Sequence, residues 1–342
     1  MQIEFGAVDH LDQQDRPHRD TFDDRLKLVE AYDRAGFHAY HLTEHHFTPL
    51  GLAPSPNLFL AAASRITTRL RLATLVYVMT TYHPLRLAEE ICMLDQLSHG
   101  RLEIGTGRGI SPFEIGYFGI DHLESRAIYR EAWTVIEQAL TKGHVDFDGK
   151  YFQCRDVPFT MRPVQLPYPP VWQAPGSAEG VAECARNNIS CAFNRPASVT
   201  KPWTDLYKKV WTETHGASGR PMPKLAVGAH LFLDENGQRA EERAQFGYDG
   251  WYRSFIQLWR KFVPMIPTQD VAGSARQRLI IAGTPAKVRG EIAALVEDCG
   301  ANYFLARFAY GDLSYEESAA SLGLFVEAVM PHFTDLAARR VG

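Results

Sequence analysis

The chain has 342 residues, 45% of them hydrophobic and 22% charged, a composition that excludes a disordered chain and a length that suits two ordinary domains or one large α/β barrel. Thirty-six basic residues face 40 acidic ones for a net charge of −4; without a dense Lys/Arg run, nucleic-acid and membrane-surface roles lack electrostatic support, and the expected partner is a small molecule. Five scattered cysteines, odd in number and with no CxxC pair, argue against a disulfide framework or a zinc ribbon and fit a reducing cytoplasm, and no leader or membrane-spanning apolar stretch is expected.

In chain order the predicted strands are IEFGAV (3–8), AYHLTE (39–44), RLATLVYV (71–78), LEIGTG (102–107), VWQAP (171–175), ISCAFN (189–194), KLAVGAHLF (224–232) and NYFLARF (302–308). Helical periodicity lies between them. In residues 21–36, Phe22, Leu26, Val29 and Ala31 lean to one side and Gly36 makes a C-terminal stop. Further helices are predicted over 85–100, 124–140 and 284–300, the last opening on Thr284 as cap and Pro285 as first helical residue. An eightfold alternation of strand and helix matches a TIM (β/α)8 barrel better than a doubly wound sheet. One domain over 1–342 is expected, with a hairpin and Pro-rich loop inserted at 143–170 and a long loop at 262–282.

Chemistry concentrates after the second and fourth strands, which in a barrel is the catalytic face. Glu44, His45 and His46 follow the second. HExxH is absent, and adjacent strand residues point to opposite faces, so the triple suits one metal ion poorly; the histidines read as catalytic or as structural. In GTGRGI (105–110) the sixth position is Ile110, which defeats a dinucleotide fingerprint, and no GxxxxGK[ST] occurs. The turn reads as a plain glycine-rich turn, or as backbone that lets Arg108 grip an anion. Arg126, in the helix that follows, reads as a second charge on that anion or as a solvated helix-face residue. No GxSxG elbow surrounds Ser111, Ser177 or Ser198, and nothing points positively to a carboxylate-pair glycosidase.

The stretches GFHAYHLTEHHFTPLG, TTYHPLRLAEEICMLDQLSHGRLEIGTGRG, FGIDHLESR, APGSAE, WYRSF, AGTPAKVRGEI and LFVEAVMPHF follow in order from about residue 3 to 333. On these residues the chain resembles the bacterial luciferase-like, flavin-dependent monooxygenases, the family of the luciferase α subunit. The resemblance implies a two-component enzyme in which FMN, supplied as FMNH2 by a separate flavin reductase, reacts with O2 to a C4a-peroxyflavin and one oxygen atom enters a small organic substrate. The outcome would be aldehyde oxidation, hydroxylation or Baeyer-Villiger insertion. It implies that His45 is the catalytic histidine, with Glu44 and His46 beside it. Arg108 and Arg126 would contact the flavin phosphate, Gly176 and Ser177 would form the other phosphate loop, and Thr106 would lie on the cofactor side. Leu75 and Val76 fall where the family has a non-proline cis peptide beneath the flavin ring. Trp172 and Trp251 would wall the site, 262–282 would be its lid, and a homodimer through helices near the second and third strands is expected. Gly107 replaces the luciferase's reactive cysteine and Gly176 a phosphate-side glutamate, so light emission does not carry over. Rival readings are an F420-dependent hydride-transfer oxidoreductase, a non-catalytic flavin-binding partner subunit and a metal-dependent barrel hydrolase.

Overall fold

The computed structural model describes residues 2–262, 273 and 278–333. Its strands are β1 (Glu4–Asp9), β2 (Ala39–Leu42), β3 (Arg71–Thr74), β4 (Tyr77–Val78), β5 (Leu102–Gly107), β6 (His144–Asp148), β7 (Gln153–Pro158), β8 (Val171–Gln173), β9 (Ser190–Phe193), β10 (Leu225–Leu233), β11 (Ile280–Gly283) and β12 (Tyr303–Arg307). β1, β2, β3, β5, β8, β9, β10 and β12 pair in parallel in that order. Pairing of Leu225–Val227 with Cys191–Phe193, and of β12 with both β10 and β1, closes them into an eight-stranded barrel. These eight are the eight predicted strands.

The helices are α1 (His18–Ala35), α2 (Pro56–Ile66), α3 (Pro84–Leu97), α4 (Pro112–Tyr117), α5 (Ser125–Lys142), α6 (Ala178–Arg186), α7 (Ala197–His215), α8 (Gly237–Phe262), α9 (Pro285–Cys299) and α10 (Tyr315–Ala328). The outward faces of the strands (Phe5, Leu72, Ile104, Phe304) and the inward faces of the helices (Leu28, Ile91, Ile136, Ile292) form the main core, as expected where parallel strands are buried on both sides. α1 ends as its sequence predicts, with Gly36 at φ 81°. Its buried face, however, carries Arg25 and Asp33 beside Leu28, Val29 and Tyr32, while Phe22 and Leu26 are half-buried. At α9, Thr284 occupies the cap but its side chain makes no capping bond.

Inside the barrel, Val8, Trp172, Ala192, Ala226, Tyr303 and Leu305 pack together. Below them lies a polar base. Glu103 accepts hydrogen bonds from Arg71 Nε and Trp172 Nε1, and its Oε1 lies 3.2 Å from His38 Nε2; His38 also faces Glu4, which pairs with Lys224. Trp172 is therefore a plug in the barrel interior, where its N–H finds a buried carboxylate, and not a wall of the mouth.

Other sequence readings change in detail. The second strand ends at Leu42, so Glu44 to His46 lie just beyond it. The run 71–78 is divided at Leu75–Val76 by a non-proline cis peptide, where the resemblance placed one. The hairpin expected in 143–170 is present as the antiparallel pair of β6 with β7. Most of 262–282 lies outside the described residues, but its last three residues, expected as loop, begin a strand, Ile280–Gly283, that pairs in parallel with His230–Leu233 of β10.

Candidate active site

The segment Thr43–His46 runs across the C-terminal mouth of the barrel, held to β1 by the Thr43 N–H donating to the Asp9 carbonyl at 3.0 Å. Glu44 is buried. Its Oε1 lies 2.8 Å from His46 Nε2, and its Oε2 accepts from the Val78 N–H at 3.2 Å and the Tyr82 hydroxyl at 2.9 Å. Burial pushes the Glu44 carboxyl up, and these hydrogen bonds only partly oppose it. Glu44 and His46 thus tie the segment to β4 and the turn after it.

His45 faces the other way. Its Nδ1 is 3.1 Å from Glu114 Oε1, and the same oxygen accepts the His46 backbone N–H at 2.8 Å. A carboxylate accepts, so Nδ1 carries the proton and Nε2 is left as an acceptor. Glu114 comes from α4, whose N-cap Ser111 accepts from the Glu114 N–H at 3.3 Å. The His45 ring stacks on His10, with centroids 5.6 Å apart and planes at 21°. Burial, followed by the charge of Arg307, holds His10 well below the usual histidine range, so it is neutral. His45 and Glu114 open on a crevice shared with Thr48, Leu50, Ile110 and Phe255.

Around β5, glycines allow close backbone contact. A Cβ at Gly105 would lie 2.0 Å from the Thr74 carbonyl oxygen, and one at Gly107 2.4 Å from Val76 Cγ2. The chain through the Leu75–Val76 cis peptide can therefore press against β5 only because both positions lack side chains. Thr106 is buried, with Oγ1 3.0 Å from the Tyr129 hydroxyl. Arg108 is exposed and reaches the start of α5, its Nη1 donating to Ser125 Oγ at 2.9 Å. Arg126 is the next residue of that helix and is also exposed. On neighbouring β8, the chain leads through exposed Gly176 to Ser177, which caps α6 by accepting the Gly180 N–H at 3.2 Å. Two arginines, two helix starts and an open glycine loop thus belong to adjacent strands, a donor set suited to a phosphate.

Sequence reasoning missed Glu114 and, on the opposite wall, every residue but Trp251. There Arg307, at the end of β12, donates to His230 Nε2 at 3.0 Å and lies 5.6 Å over the Trp251 ring, and Trp251 stacks on Phe255 at 5.2 Å. Ser111-x-x-Glu114 was the one available signal, since it has capping-box spacing. Among the described residues, no group of three or more His, Cys, Asp or Glu could hold a metal ion, and no helix is long and apolar enough to cross a membrane.

The model of the family described as luciferase-like monooxygenase matches residues 3–303. The chain belongs to that family. This luciferase-like enzyme is 38% identical to the uncharacterized protein y4wF of Sinorhizobium fredii (strain NBRC 101917 / NGR234), over 92% of this chain and 93% of the relative. It is 25% identical to the oxygenase component of the flavin-dependent trigonelline monooxygenase of Acinetobacter baylyi (strain ATCC 33305 / BD413 / ADP1), over 97% and 96% of the two chains. Among solved structures, monooxygenase RslO1 from Streptomyces bottropensis superposes with a TM-score of 0.89 at 26% identity, covering 97% of this chain and 100% of the other.

Proposed function

We propose that this luciferase-like monooxygenase is the oxygenase component of a two-component system. It takes reduced FMN from a separate reductase and transfers one oxygen atom of O2 to a small organic substrate. The observation that carries this reading is the pairing of an anion-suited corner, Arg108 with Arg126, Gly176 and Ser177, with an oriented histidine, His45 held by Glu114, on one barrel mouth. The name of the Acinetobacter relative, an oxygenase component, supports a separate reductase.

Bound reduced FMN would supply the electrons that activate O2. The protein would do the rest. Arg108 and Arg126 would hold the phosphate with charge-assisted bonds, and Ser177 and the Gly176 backbone would close the other side of it. Leu75, Val76 and Thr106 would form the floor under the ring. His45, with Nδ1–H directed to Glu114, would accept or return a proton through Nε2. Glu44 and His46 would fix the segment that carries it. Phe255, which lines the crevice, and Trp251 stacked on it would limit water.

The five cysteines, all unpaired and buried, suit a reducing cytoplasm. Leu58 on α2 is 76% exposed and Met93 on α3 54% exposed, which suits a homodimer through these helices.

The test is turnover by the purified chain with FMNH2, O2 and candidate substrates. O2 consumption coupled to oxygenated product supports the reading. Hydride transfer with F420 in the absence of O2 would replace it with the rival reading.

A further inference from the structure

Two histidine rings stack at the barrel mouth. His10 directly follows the end of β1, and its ring centroid lies 5.6 Å from that of His45 with the planes at 21°; it also meets Trp251 edge-on at 5.6 Å and 61°. His45 lines the crevice, and so does Phe255, which stacks on Trp251. His10 therefore packs against one crevice residue and against the residue that backs another. It is 9% exposed. Its Nδ1 is buried without a hydrogen-bond partner, whereas Nε2, also unpaired among the described residues, is the ring nitrogen left open.

The two rings offer opposite hydrogen-bonding groups. His45 donates its Nδ1–H to Glu114, so its Nε2 presents a lone pair. On His10 no acceptor meets Nδ1, and a buried N–H without an acceptor is the rarer kind of orphan in folded proteins, so the proton belongs on Nε2. Burial, followed by the charge of Arg307 and then by His45 and His230, keeps the His10 ring neutral. The mouth thus holds a donor that does not titrate near neutral pH beside an acceptor. A neutral imidazole N–H polarises a carbonyl without giving up its proton.

We propose that His10 Nε2–H donates to the carbonyl oxygen of the organic substrate, with His45 Nε2 beside it as proton acceptor. This rests on the monooxygenase reading and deepens it: the substrates are aldehydes or ketones, so the outcome is aldehyde oxidation or Baeyer-Villiger insertion and not hydroxylation. A flavin carbonyl offers the same acceptor chemistry, and the experiment separates the two.

The full chain, with and without FMN, is titrated calorimetrically with cyclohexanone, acetophenone and benzaldehyde, each against the alkene of the same skeleton, and the carbonyl stretch of each bound compound is read by infrared difference spectroscopy. At least one carbonyl band should lie below its position in hexane. His10→Phe keeps a ring against His45 but lacks the donor; it should lower the carbonyl-to-alkene affinity ratio by about three- to tenfold and return the band toward its hexane position. His10→Gln should keep part of both effects, and FMN affinity should stay within about twofold in both variants. Because the donor is neutral, the wild-type ratio should be the same at about pH 6 and pH 8. The proposal is overturned if no carbonyl band is lowered, if the ratio survives His10→Phe, or if the ratio collapses between those pH values, which would make the donor an imidazolium. It is also overturned if His10→Phe weakens FMN and spares the carbonyl compounds, which assigns the N–H to the flavin. Should His10→Phe not fold, NMR of the wild type with 15N-labelled histidine decides: a His10 proton on Nε2 that shifts when the ketone is added supports the donor, and a proton on Nδ1 removes it. A chain that keeps the carbonyl preference but neither binds FMN nor consumes O2 sinks the monooxygenase reading and leaves the donor standing. FMN-dependent O2 consumption with no carbonyl preference does the reverse.

Discussion

Glu114 and His45, 69 positions apart in the chain, meet with Oε1 3.1 Å from Nδ1, and the same oxygen accepts the His46 N–H at 2.8 Å. One carboxylate thus sets both the tautomer of the ring and the path of the backbone that carries it. If His45 moves a proton during turnover, His45→Ala should lower kcat by about 100-fold or more with little change in FMN affinity. Glu114→Gln should keep the fold, lower kcat by a smaller factor and displace the pH–rate profile, because the amide can leave the other tautomer of His45 populated. Equal kcat and an unchanged pH profile in Glu114→Gln would show that this contact only supports structure.

The Arg108 corner predicts a phosphate-specific loss. Replacing Arg108 with Ala should weaken FMN binding by roughly 1.5–3 kcal/mol, the range for a hydrogen bond to a charged group. Riboflavin, which lacks the phosphate, should lose almost nothing. Arg126→Ala should act in the same direction, and the two losses should not be additive because both arginines would contact one anion. Equilibrium titration of both flavins against each variant checks this.

Gly105 and Gly107 should differ in their intolerance of a side chain. At Gly107 the added Cβ meets a side-chain methyl of Val76, which can shift, so Gly107→Ala should cost about 1–3 kcal/mol. At Gly105 it meets the Thr74 backbone carbonyl, which cannot move without breaking the pairing of β3 and β2. Gly105→Ala should therefore be the more destabilising in urea unfolding, and the reverse order would contradict this packing.

Much of this architecture is legible in sequence because a parallel strand, buried on both faces, leaves a short apolar run, and all eight barrel strands did so. Where reading failed, tertiary partners decided. The cis peptide at Leu75–Val76 was expected through the family resemblance and is present, but the apolar run 71–78 by itself shows no sign of the break against two glycines of another strand. Trp172 is as apolar as a mouth residue, but buried Glu103 draws its N–H inward. Glu114 has capping-box spacing after Ser111, yet its carboxylate goes to His45 instead of back to the cap. Arg307 resembles any strand-end arginine until it is seen buried against His230 and the Trp251 ring. None of these pairings leaves a local pattern.

The base of the barrel predicts acid sensitivity. Burial raises the Glu4 carboxyl, but the hydrogen bond and charge of His38 and the pairing with Lys224 outweigh it and bring it down to about 2. Glu103 is likewise held below the usual carboxylate range: burial opposes this, and His38 and Arg71 overcome it. Folded pKa values below the unfolded ones give stability that is full above about 4.5 and is lost as pH falls through the folded values. For His38, burial disfavours the charge but Glu103 and Glu4 raise the pKa, so its contribution is present below about 6.5 and fades as pH rises through the raised value. Melting curves of the wild type should show Tm falling from pH 4.5 toward 2. Glu4→Gln should start lower at pH 6 and fall less. Parallel curves would refute the assignment.

The central claim, that this barrel mouth binds reduced FMN and controls its reaction with O2, is tested most directly by stopped-flow. The chain is loaded anaerobically with FMNH2, mixed with O2, and the return of oxidised flavin is timed against free FMNH2. The account predicts reoxidation in two phases, with the final return of oxidised FMN slower than in free solution. Arg108→Ala should bring the time course toward that of free flavin. A course indistinguishable from free FMNH2 at protein concentrations in large excess would contradict the account.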